Sequence, residues 1–297
     1  MKLPYLRNPI YRAARLLTPE KIKPTLRGWY NALNKLATYR RQDVFTALDI
    51  EINSRCNLRC RYCPVSLWNR GDALMPDDLY RKIIDDLADF PFPYRGRVSP
   101  HFYNDPLVDR RLPELMRYTR EKLPHAVLLI HTNGVALTRE FYRSLIASGI
   151  DGMLITRHTR VLPRSVLDII KSEPDADRFL TIQSLKHVGL FERGGIERVA
   201  RPHRLRSCYY LSDEIAIDYR GNVVCTNDFF IRDPFGNVHD ASLKDIWWEK
   251  RFVDIRKKLK KGKIALSVCR DCMGDGNPRY TTVPANARGV GYFRWPT

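Results

Sequence analysis

Residues 49–64 read DIEINSRCNLRCRYCP, and this stretch decides the fold. Polar and apolar residues alternate up to Asn53, and a period of two predicts a β-strand. Three cysteines follow in the order C-x3-C-x2-C: Cys56, Cys60 and Cys63. A loop at the end of a strand can turn three thiolates toward one point, one ligand short of saturating a tetrahedral zinc ion or a cubane [4Fe–4S] cluster. The stretch therefore predicts a metal centre with one position open to a ligand that is not protein.

This loop resembles the signature of the radical S-adenosylmethionine (SAM) enzymes, in which SAM chelates the open iron of such a cluster. The aromatic Tyr62 directly before Cys63 is also typical of the family, where it lies against the adenine of SAM. By this resemblance, an electron from the cluster cleaves SAM, and the 5′-deoxyadenosyl radical removes a hydrogen atom from the substrate. Zinc knuckles and redox pairs are the more common use of C-x2-C. The third cysteine, the preceding strand and the aromatic residue favour the radical SAM interpretation.

Length and composition bound the remaining choices. The 297 residues suffice for one large domain, or for one domain with a smaller appendage. Apolar residues make up 44% of the chain, which is ordinary for a globular protein with a core. Seven cysteines, with no secretory signal and no apolar run near about 20 residues, predict a reducing, cytoplasmic location. In that setting clustered cysteines are metal ligands before they are disulfides.

Half of the formal net charge of +18 lies in residues 1–42, which carry ten Lys and Arg against one acid, Glu20. This segment shows helical periodicity in two pieces that separate near Pro19. A basic amphipathic segment fits an anionic membrane or an acidic partner, so the protein could also lie at the membrane periphery. The alternative is a helical wrap with solvated charges, and the sequence leaves both open. A zinc-stabilised nucleic-acid-binding protein would explain the charge, but the cysteine pattern argues against nucleic acid as the partner.

From residue 44 strands alternate with amphipathic helices, which predicts βα units and a mainly parallel sheet. The expected strands are 44–53, 97–103, 126–131, 152–156 and 179–183, and the expected helices are 76–90, 112–123, 138–148 and 165–172. Ligands of such folds collect at the carboxyl ends of the strands. By the resemblance, the fold class is α/β, with a partial (β/α)6 radical SAM barrel followed by a small α+β domain.

Polar residues at these strand ends are the candidates for binding SAM. Asn104-Asp105-Pro106 resembles a variant of the Gly-Gly-Glu-Pro motif that holds the amino group of SAM, although a capping turn before a helix is the alternative. Asn133 lies in a Thr-Asn-Gly turn that recurs in the family, and Thr156 stands where a Ser or Thr often lies near the ribose or carboxylate of SAM. The resemblance thus implies five SAM-binding residues: Tyr62, Asn104, Asp105, Asn133 and Thr156.

A second metal site is predicted after the alternation stops near residue 200, from the remaining cysteines Cys208, Cys225, Cys269 and Cys272. A period-2 pattern around a Gly-Asn turn predicts a hairpin between the first two, and residues 242–261 have the spacing of one helix. This arrangement resembles the SPASM or twitch domain, which carries one auxiliary [4Fe–4S] cluster after many radical SAM cores. A structural zinc ion held by four cysteines is the alternative, because spacing does not distinguish the two.

The chain is thus expected to have four parts: a basic amphipathic helical segment (1–43), a radical SAM core (44–200), a SPASM or twitch auxiliary domain (201–278) and a C-terminal tail (279–297). The expected cofactors are SAM and two [4Fe–4S] clusters, one that binds SAM and one auxiliary. These clusters use all seven cysteines. The resemblance also implies a protein reductant such as flavodoxin or ferredoxin.

An electron acceptor near a substrate radical favours net oxidation. The long interval from Cys63 to Cys208 is similar to that of a family member that oxidises a cyclitol alcohol to a ketone. The leading hypothesis is therefore a radical SAM oxidoreductase that dehydrogenates a sugar or cyclitol alcohol. A maturase that crosslinks, oxidises or epimerises a ribosomal peptide is the alternative. Basic groups among the candidates suit an anionic small molecule. The catalytic candidates are Tyr103, Arg157, His158 and Arg193, and further substrate contacts are expected from His101 and Gln183.

Overall fold

The computed structural model describes residues 23–60, 62–66, 70–159, 161–184 and 208–269. Several predictions fall outside these residues: the first helical piece of the N-terminal segment, Arg193, Cys272 and the tail after residue 278. Their roles stay predictions.

The chain begins, within the described residues, with helix α1 (Lys23–Tyr39). Five strands follow: β1 (Ala47–Ile50), β2 (Arg97–Ser99), β3 (Val127–Thr132), β4 (Gly152–Arg157) and β5 (Leu180–Ser184). The helices among them are α2 (Asp77–Ala88), α3 (Leu112–Lys122), α4 (Arg139–Ala147), α5 (Arg164–Ser172) and α6 (Ala176–Phe179). The last part holds α7 (Tyr210–Asp213), β6 (Glu214–Ile217), β7 (Asn222–Val224), β8 (Gly236–Asn237), α8 (Leu243–Trp248) and α9 (Lys250–Lys260).

The sheet has the strand order β5-β4-β3-β2-β1-β6-β7-β8. All pairs from β5 to β6 are parallel, and the pairs β6–β7 and β7–β8 are antiparallel. The predicted alternation of strands and helices is confirmed. The sixth parallel strand, β6, lies beside β1 rather than beyond β5, and the sequence assigned it to the auxiliary hairpin. The auxiliary part therefore extends the same sheet as the core.

One face of the sheet packs against the helices. The apolar strand residues alternate, and those at every second position, such as Leu48, Ile50, Leu128 and Ile130, are fully buried in one hydrophobic cluster with helical side chains. Helix α2 contributes Leu79, Ile83, Ile84 and Leu87 to that cluster. Each such side chain contributes up to about 1.5–3 kcal/mol by leaving water. The apolar period read from the sequence thus fixes which side of each element faces the core.

The other face of the sheet carries most of the polar strand side chains, together with apolar ones such as Leu129 and Leu154. Residues that alternate with the buried apolar ones lie on it, and the parallel register brings them side by side: Asp49, Arg97, Ser99, His131, Thr156, Gln183 and Glu214. We call this set the polar face.

Strand β2 is shorter than predicted. The sequence extends it to Tyr103, but the ladder ends at Ser99. Beyond that point the backbone turns toward β1, and Tyr103 N donates to Glu51 Oε1 at 3.1 Å. The prediction was wrong here because a side-chain acceptor replaces the ladder partner.

The single helix predicted over 242–261 is also wrong, since Glu249 is extended (φ −58°, ψ 136°) and separates α8 from α9. Glu249 caps α9 by accepting from Phe252 N at 3.1 Å. Arg256, which is 3% exposed, donates to the Trp247 carbonyl at 2.9 Å and stacks over the Trp247 ring. A buried guanidinium thus satisfies a carbonyl near the break.

The predicted hairpin of the auxiliary part is confirmed as β6–β7. Its turn is closed by Asp218, whose carboxylate accepts from Arg220 N at 3.0 Å and Asn222 N at 2.8 Å. Gly221 has φ +86°, a conformation that L side chains rarely adopt, which explains the glycine in the turn.

Candidate active site

The first three cysteines lie in the loop that follows β1. Cys63 N donates to Cys60 O at 2.9 Å, and Ser66 N donates to Cys63 O at 3.0 Å, so a tight turn fixes the second and third cysteines. Leu58 N lies 3.4 Å from Cys56 Sγ. Burial raises the pKa of Cys56 to about 12, and Cys63 and Cys60 add to this rise. Three thiols that oppose one another's ionisation fit a cationic iron cluster, which takes them as thiolates.

A buried ion pair lies behind this loop. Arg70 contacts both oxygens of the fully buried Glu51, with Nη2 donating to Oε2 at 2.6 Å. Burial raises the pKa of Glu51, and Arg70 opposes that rise. Tyr103 N donates to Glu51, and Tyr219 Oη donates to Arg70 O at 3.0 Å. The pair therefore joins β1, the loop after β2 and the auxiliary hairpin.

Asp105 links the cysteine loop to the end of β3. Its carboxylate accepts from Leu107 N at 3.0 Å, Thr132 Oγ1 at 2.9 Å and Asn133 N at 2.8 Å. Its backbone N donates to Arg55 O at 2.8 Å. Burial raises the pKa of Asp105, and these hydrogen bonds oppose the rise. Because Asp105 caps the short helix Pro106–Val108, the capping-turn alternative is present in the structure.

The two candidate asparagines have different surroundings. Asn133 Nδ2 lies 2.7 Å from Asn57 Oδ1 and 3.8 Å from Cys56 Sγ, so it adjoins the first cysteine. Asn104 closes its own turn, with Oδ1 accepting from Phe102 N at 2.8 Å.

Tyr62, which immediately precedes Cys63, contacts the end of β4. Its hydroxyl lies 2.5 Å from His158 Nδ1, and the two rings stack with centroids 6.1 Å apart. Beside them, Gln183 Nε2 donates to Thr156 Oγ1 at 2.8 Å. The structure thus brings two predicted SAM residues and two predicted substrate residues together at the carboxyl ends of β4 and β5. Arg157 lies between them and is exposed.

Tyr103 joins the core to the auxiliary part. Its hydroxyl donates to Thr226 O at 2.9 Å, and its ring meets Phe229 edge-on with centroids 5.4 Å apart. Tyr103 and Phe229 form a small cluster with Val65, and Cys56 and Cys63 pack against it. The predicted catalytic tyrosine therefore lies beside the first cysteine site.

A charged network lies on the polar face and extends beyond β2 to His101; His101 was a predicted substrate contact, whereas its charged partners were not predicted. Arg97 donates to Asp49 Oδ1 at 2.6 Å and lies 3.3 Å from Glu214 Oε1. His101 Nδ1 lies 3.7 Å from the same Asp49 oxygen, and its ring stacks on His131 at 4.2 Å with 5° between the planes. Two features of the sequence could have indicated this network. They are the period of two in β1 and β2, and His131 in the otherwise apolar strand β3.

Both imidazoles of this network are neutral near pH 7. Burial lowers the pKa of His101 to about 3, with a contribution from Arg97. Burial also lowers the pKa of His131, and His101 and Arg97 add to this effect. His101 Nδ1 and His131 Nε2 are buried without a hydrogen-bond partner among the described residues. Such nitrogens can bind a polar ligand, because a neutral imidazole offers one donor and one acceptor.

The auxiliary cysteines Cys208, Cys225 and Cys269 line one cavity, which apolar side chains enclose. They come from the residues before α7, the end of β7 and the segment after α9. Burial raises the pKa of Cys208 and Cys269. Across the described part of the chain, no three His, Cys, Asp or Glu side chains converge on the position of one metal ion. Three cysteines around one cavity match part of the thiolate ligand set that an iron–sulfur cluster requires.

Comparison with known families agrees with these features. The radical SAM superfamily matches residues 50–197, and the SPASM iron–sulfur cluster-binding domain matches residues 208–273. The chain belongs to the radical SAM superfamily, and it is an enzyme with a SPASM domain. The predicted family, fold class and cofactors are therefore confirmed: SAM with a [4Fe–4S] cluster in the core, and an auxiliary iron–sulfur cluster.

Two individual relatives and one solved structure are similar to this chain over different lengths. The chain is 31% identical to the S-adenosyl-L-methionine-dependent 2-deoxy-scyllo-inosamine dehydrogenase of Niallia circulans, over 77% of this chain and 93% of that protein. It is similar to the crystal structure of BtrN in complex with AdoMet and 2-DOIA, with a TM-score of 0.67 and 29% identity over 74% of this chain and 88% of that one. The PqqA peptide cyclase of Bradyrhizobium diazoefficiens is 28% identical over 48% of this chain and 39% of its own length.

The lengths and polarity of the helices bear on whether the chain spans a membrane. Within the described residues, the helices are all too short or too polar to cross a bilayer.

Proposed function

We propose that this enzyme oxidises a secondary alcohol of a small cyclic polyol, in the chemical class of cyclitols and aminocyclitols, to a ketone. The observation that carries the proposal is the extent of the similarity to the dehydrogenase, which includes 93% of that protein and 77% of this chain. The similarity to the peptide cyclase includes only 39% of the cyclase. The relative that is matched over nearly its whole length therefore supports the proposal more strongly than the one matched over a part.

The proposed oxidation breaks one C–H and one O–H bond of the alcohol. A hydrogen atom, a proton and an electron leave the substrate, and each needs an acceptor. When bound, SAM and the clusters supply a radical that takes the hydrogen atom from carbon and an acceptor that takes one electron. The hydroxyl proton is left, and a group of the protein has to accept it. The protein also has to orient the ring and exclude water.

The cysteines divide between two proposed roles. Cys56, Cys60 and Cys63 would hold the cluster that binds SAM, and the auxiliary cluster would be held by Cys208, Cys225, Cys269 and Cys272. For SAM itself, Tyr62 and Asn133 are supported by their contacts beside the cysteine loop. Thr156 and Asn104 stay candidates. Asp105 is better supported as a positioning residue, because its carboxylate already accepts hydrogen bonds from the loop after β2 and the end of β3.

We assign recognition of the substrate hydroxyls to the polar face. His101 and His131 have unpartnered buried nitrogens, and neutral imidazoles can accept a hydrogen bond from a hydroxyl. Asp49 lies 3.7 Å from His101 and can stabilise an imidazolium that forms after proton transfer. A ring with several hydroxyls matches this row of donors and acceptors better than an apolar ligand does. Tyr103, Arg157, His158, Gln183 and Arg193 remain candidates for further contacts.

Anaerobic turnover with defined substrates tests the proposal. Reconstituted protein should hold about seven to eight irons per chain. A panel of cyclitols and aminocyclitols should give a product two mass units lighter, with one 5′-deoxyadenosine per turnover. Deuterium at the oxidised carbon should appear in 5′-deoxyadenosine. Flavodoxin or ferredoxin should replace a chemical reductant.

The control and the contrary results are equally specific. Cys56→Ala should form no 5′-deoxyadenosine, which excludes contaminating activity. A product of unchanged mass, or turnover confined to a peptide, would contradict the dehydrogenase proposal. The second result would favour the peptide maturase.

A further inference from the structure

Among the described side chains of helix α1, the polar Asn31 and Lys35 contact the protein beside the buried Tyr39, whereas a surface helix ordinarily buries its apolar side. Lys35 is 3% exposed, and its Nζ donates to Ser212 O at 2.5 Å and to Asp213 Oδ1 at 2.6 Å. Asn31 Nδ2 donates to Asp213 Oδ2 at 2.6 Å. Burial lowers the pKa of Lys35, and Asp213 opposes this effect. These bonds fix the polar side of α1 against α7.

The opposite side of α1 presents large apolar side chains to water. Trp29, Leu33 and Leu36 are 67%, 61% and 44% exposed. Their spacing of four and three residues aligns them along one side of the helix. Two polar anchors thus hold α1 in an orientation that leaves this stripe uncovered.

A cluster of cations lies next to α1. The end of α9 and the turn after it carry five exposed lysines: Lys257, Lys258, Lys260, Lys261 and Lys263. Lys260 is close enough to contribute to the lowered pKa of Lys35. Leu259 O also accepts from Cys208 N, so α9 and the residues that hold α1 adjoin. By sequence, residues 1–41 also carry ten Lys and Arg, the buried Lys35 among them, against one acid.

We propose that the apolar stripe of α1, formed by Trp29, Leu33 and Leu36, rests on an anionic lipid bilayer whose headgroups the five lysines of α9 and the following turn attract. Tryptophan favours the headgroup region and leucine the acyl region just below it, while lysines attract anionic headgroups. A second copy of the chain fits the surface poorly, because each copy has a net charge of +18 and would bring the same lysines to the contact. Charge and apolarity together therefore favour lipid.

Vesicle flotation of the full-length holoenzyme tests this proposal. Neutral phosphatidylcholine vesicles and vesicles with about 30% phosphatidylglycerol are the two probes. Binding is expected to the anionic vesicles, and salt near about 1 M should weaken it. The combined variant Trp29→Ser, Leu33→Ser, Leu36→Ser should bind on the order of 100-fold more weakly. Lys257→Gln and Lys260→Gln should each weaken binding about five-fold.

A matched control uses another exposed apolar set. Val161, Leu167 and Ile170 are 71%, 40% and 42% exposed. Their combined change to Ser should leave vesicle binding unchanged. Equal binding by the wild type and the α1 variant would overturn the proposal. So would wild-type protein that ignores anionic vesicles and becomes monomeric on mutation of α1, because a second copy would then cover the surface. These measurements involve no turnover, so they stand or fall separately from the dehydrogenase proposal.

Discussion

The two cysteine sites are built in different ways. In the first, three cysteines lie within eight residues, and hydrogen bonds inside the loop fix two of them. In the second, Cys208, Cys225 and Cys269 come from three separate segments and meet around one cavity. The first site therefore depends on local geometry and on what supports the loop. The second exists only when β6, β7 and α9 are assembled.

The largest effects are expected from removing one cysteine at each site, because each loss should stop a different step of the reaction. Cys60→Ala should abolish formation of 5′-deoxyadenosine, while Cys225→Ala should leave SAM cleavage but remove ketone formation. Each variant should retain about four irons, because one cubane is lost from each. Iron analysis and mass spectrometry of both products measure this. SAM cleavage by Cys60→Ala at the wild-type rate would show that the two sites have been assigned the wrong way round.

The support behind the first loop gives the next largest effect. Arg70→Met leaves Glu51 buried without its partner, and breaking a buried pair in this way costs about 3–5 kcal/mol of unfolding free energy. Urea unfolding of the cluster-free protein measures it. Arg55→Met is the control, because the Arg55–Asp72 pair is exposed and contributes below about 1 kcal/mol. Equal losses in the two variants would mean that the loop does not depend on the buried pair.

The local site could be predicted from sequence, and the assembled one only in part. Three cysteines at fixed spacing after an alternating strand specify their geometry almost alone. Residues 214–217 alternate as a hairpin strand should, and no local pattern records that they pair with β1 as well as with β7. Long-range pairing depends on which edges remain open after the core folds. That information is spread over the chain.

Helix ends, too, can be predicted from sequence where they depend on local contacts and not where they depend on distant residues. The helix predicted over 138–148 begins at the cap Thr138, whose hydroxyl accepts from Phe141 N within the same turn. The break at Glu249 depends on Arg256, which also pairs with Asp43 more than 200 residues away in sequence. The polar network of Asp49, Arg97 and His131 was missed for a similar reason, since its members lie on three different strands.

The two histidines, His101 and His131, should make the free energy of unfolding depend on pH. His101 keeps a pKa of about 3 in the folded protein, while an unfolded histidine titrates near about 6.5. The unfolded state therefore binds more protons in this interval, and stability falls as the pH decreases from about 6.5 toward 5. Because His101 is 21% exposed, we expect about 1 kcal/mol per pH unit for His101 and His131 together, below the full linkage value.

Urea unfolding at several pH values measures this slope. The variant His101→Gln, His131→Gln should have a flatter dependence between pH 5 and about 6.5. Asp49 and Arg97, which face the pair, are unchanged in it. Identical slopes for the variant and the wild type would show that both histidines are already accessible to protons in the folded state.

The smallest expected effect concerns the contact between the two cysteine sites. Tyr103→Phe removes the hydrogen bond to Thr226 O and should cost about 1 kcal/mol in urea unfolding. Tyr118→Phe is a control with a solvent-accessible partner, Asp85. If Tyr103→Phe also lowers kcat while stability changes by only this amount, Tyr103 contacts the substrate as predicted. An unchanged kcat restricts it to joining the two parts.

The parallel pairing of β6 with β1 has a consequence for the distance between the two metal sites. Cys56 follows β1 and Cys225 follows β7, and consecutive backbone ladders connect those strands through β6. Backbone ladders, and not a hinge, therefore connect the segments that carry the two sets of cysteines. Electron transfer between them would proceed across a rigid span, so its rate should be insensitive to solvent viscosity.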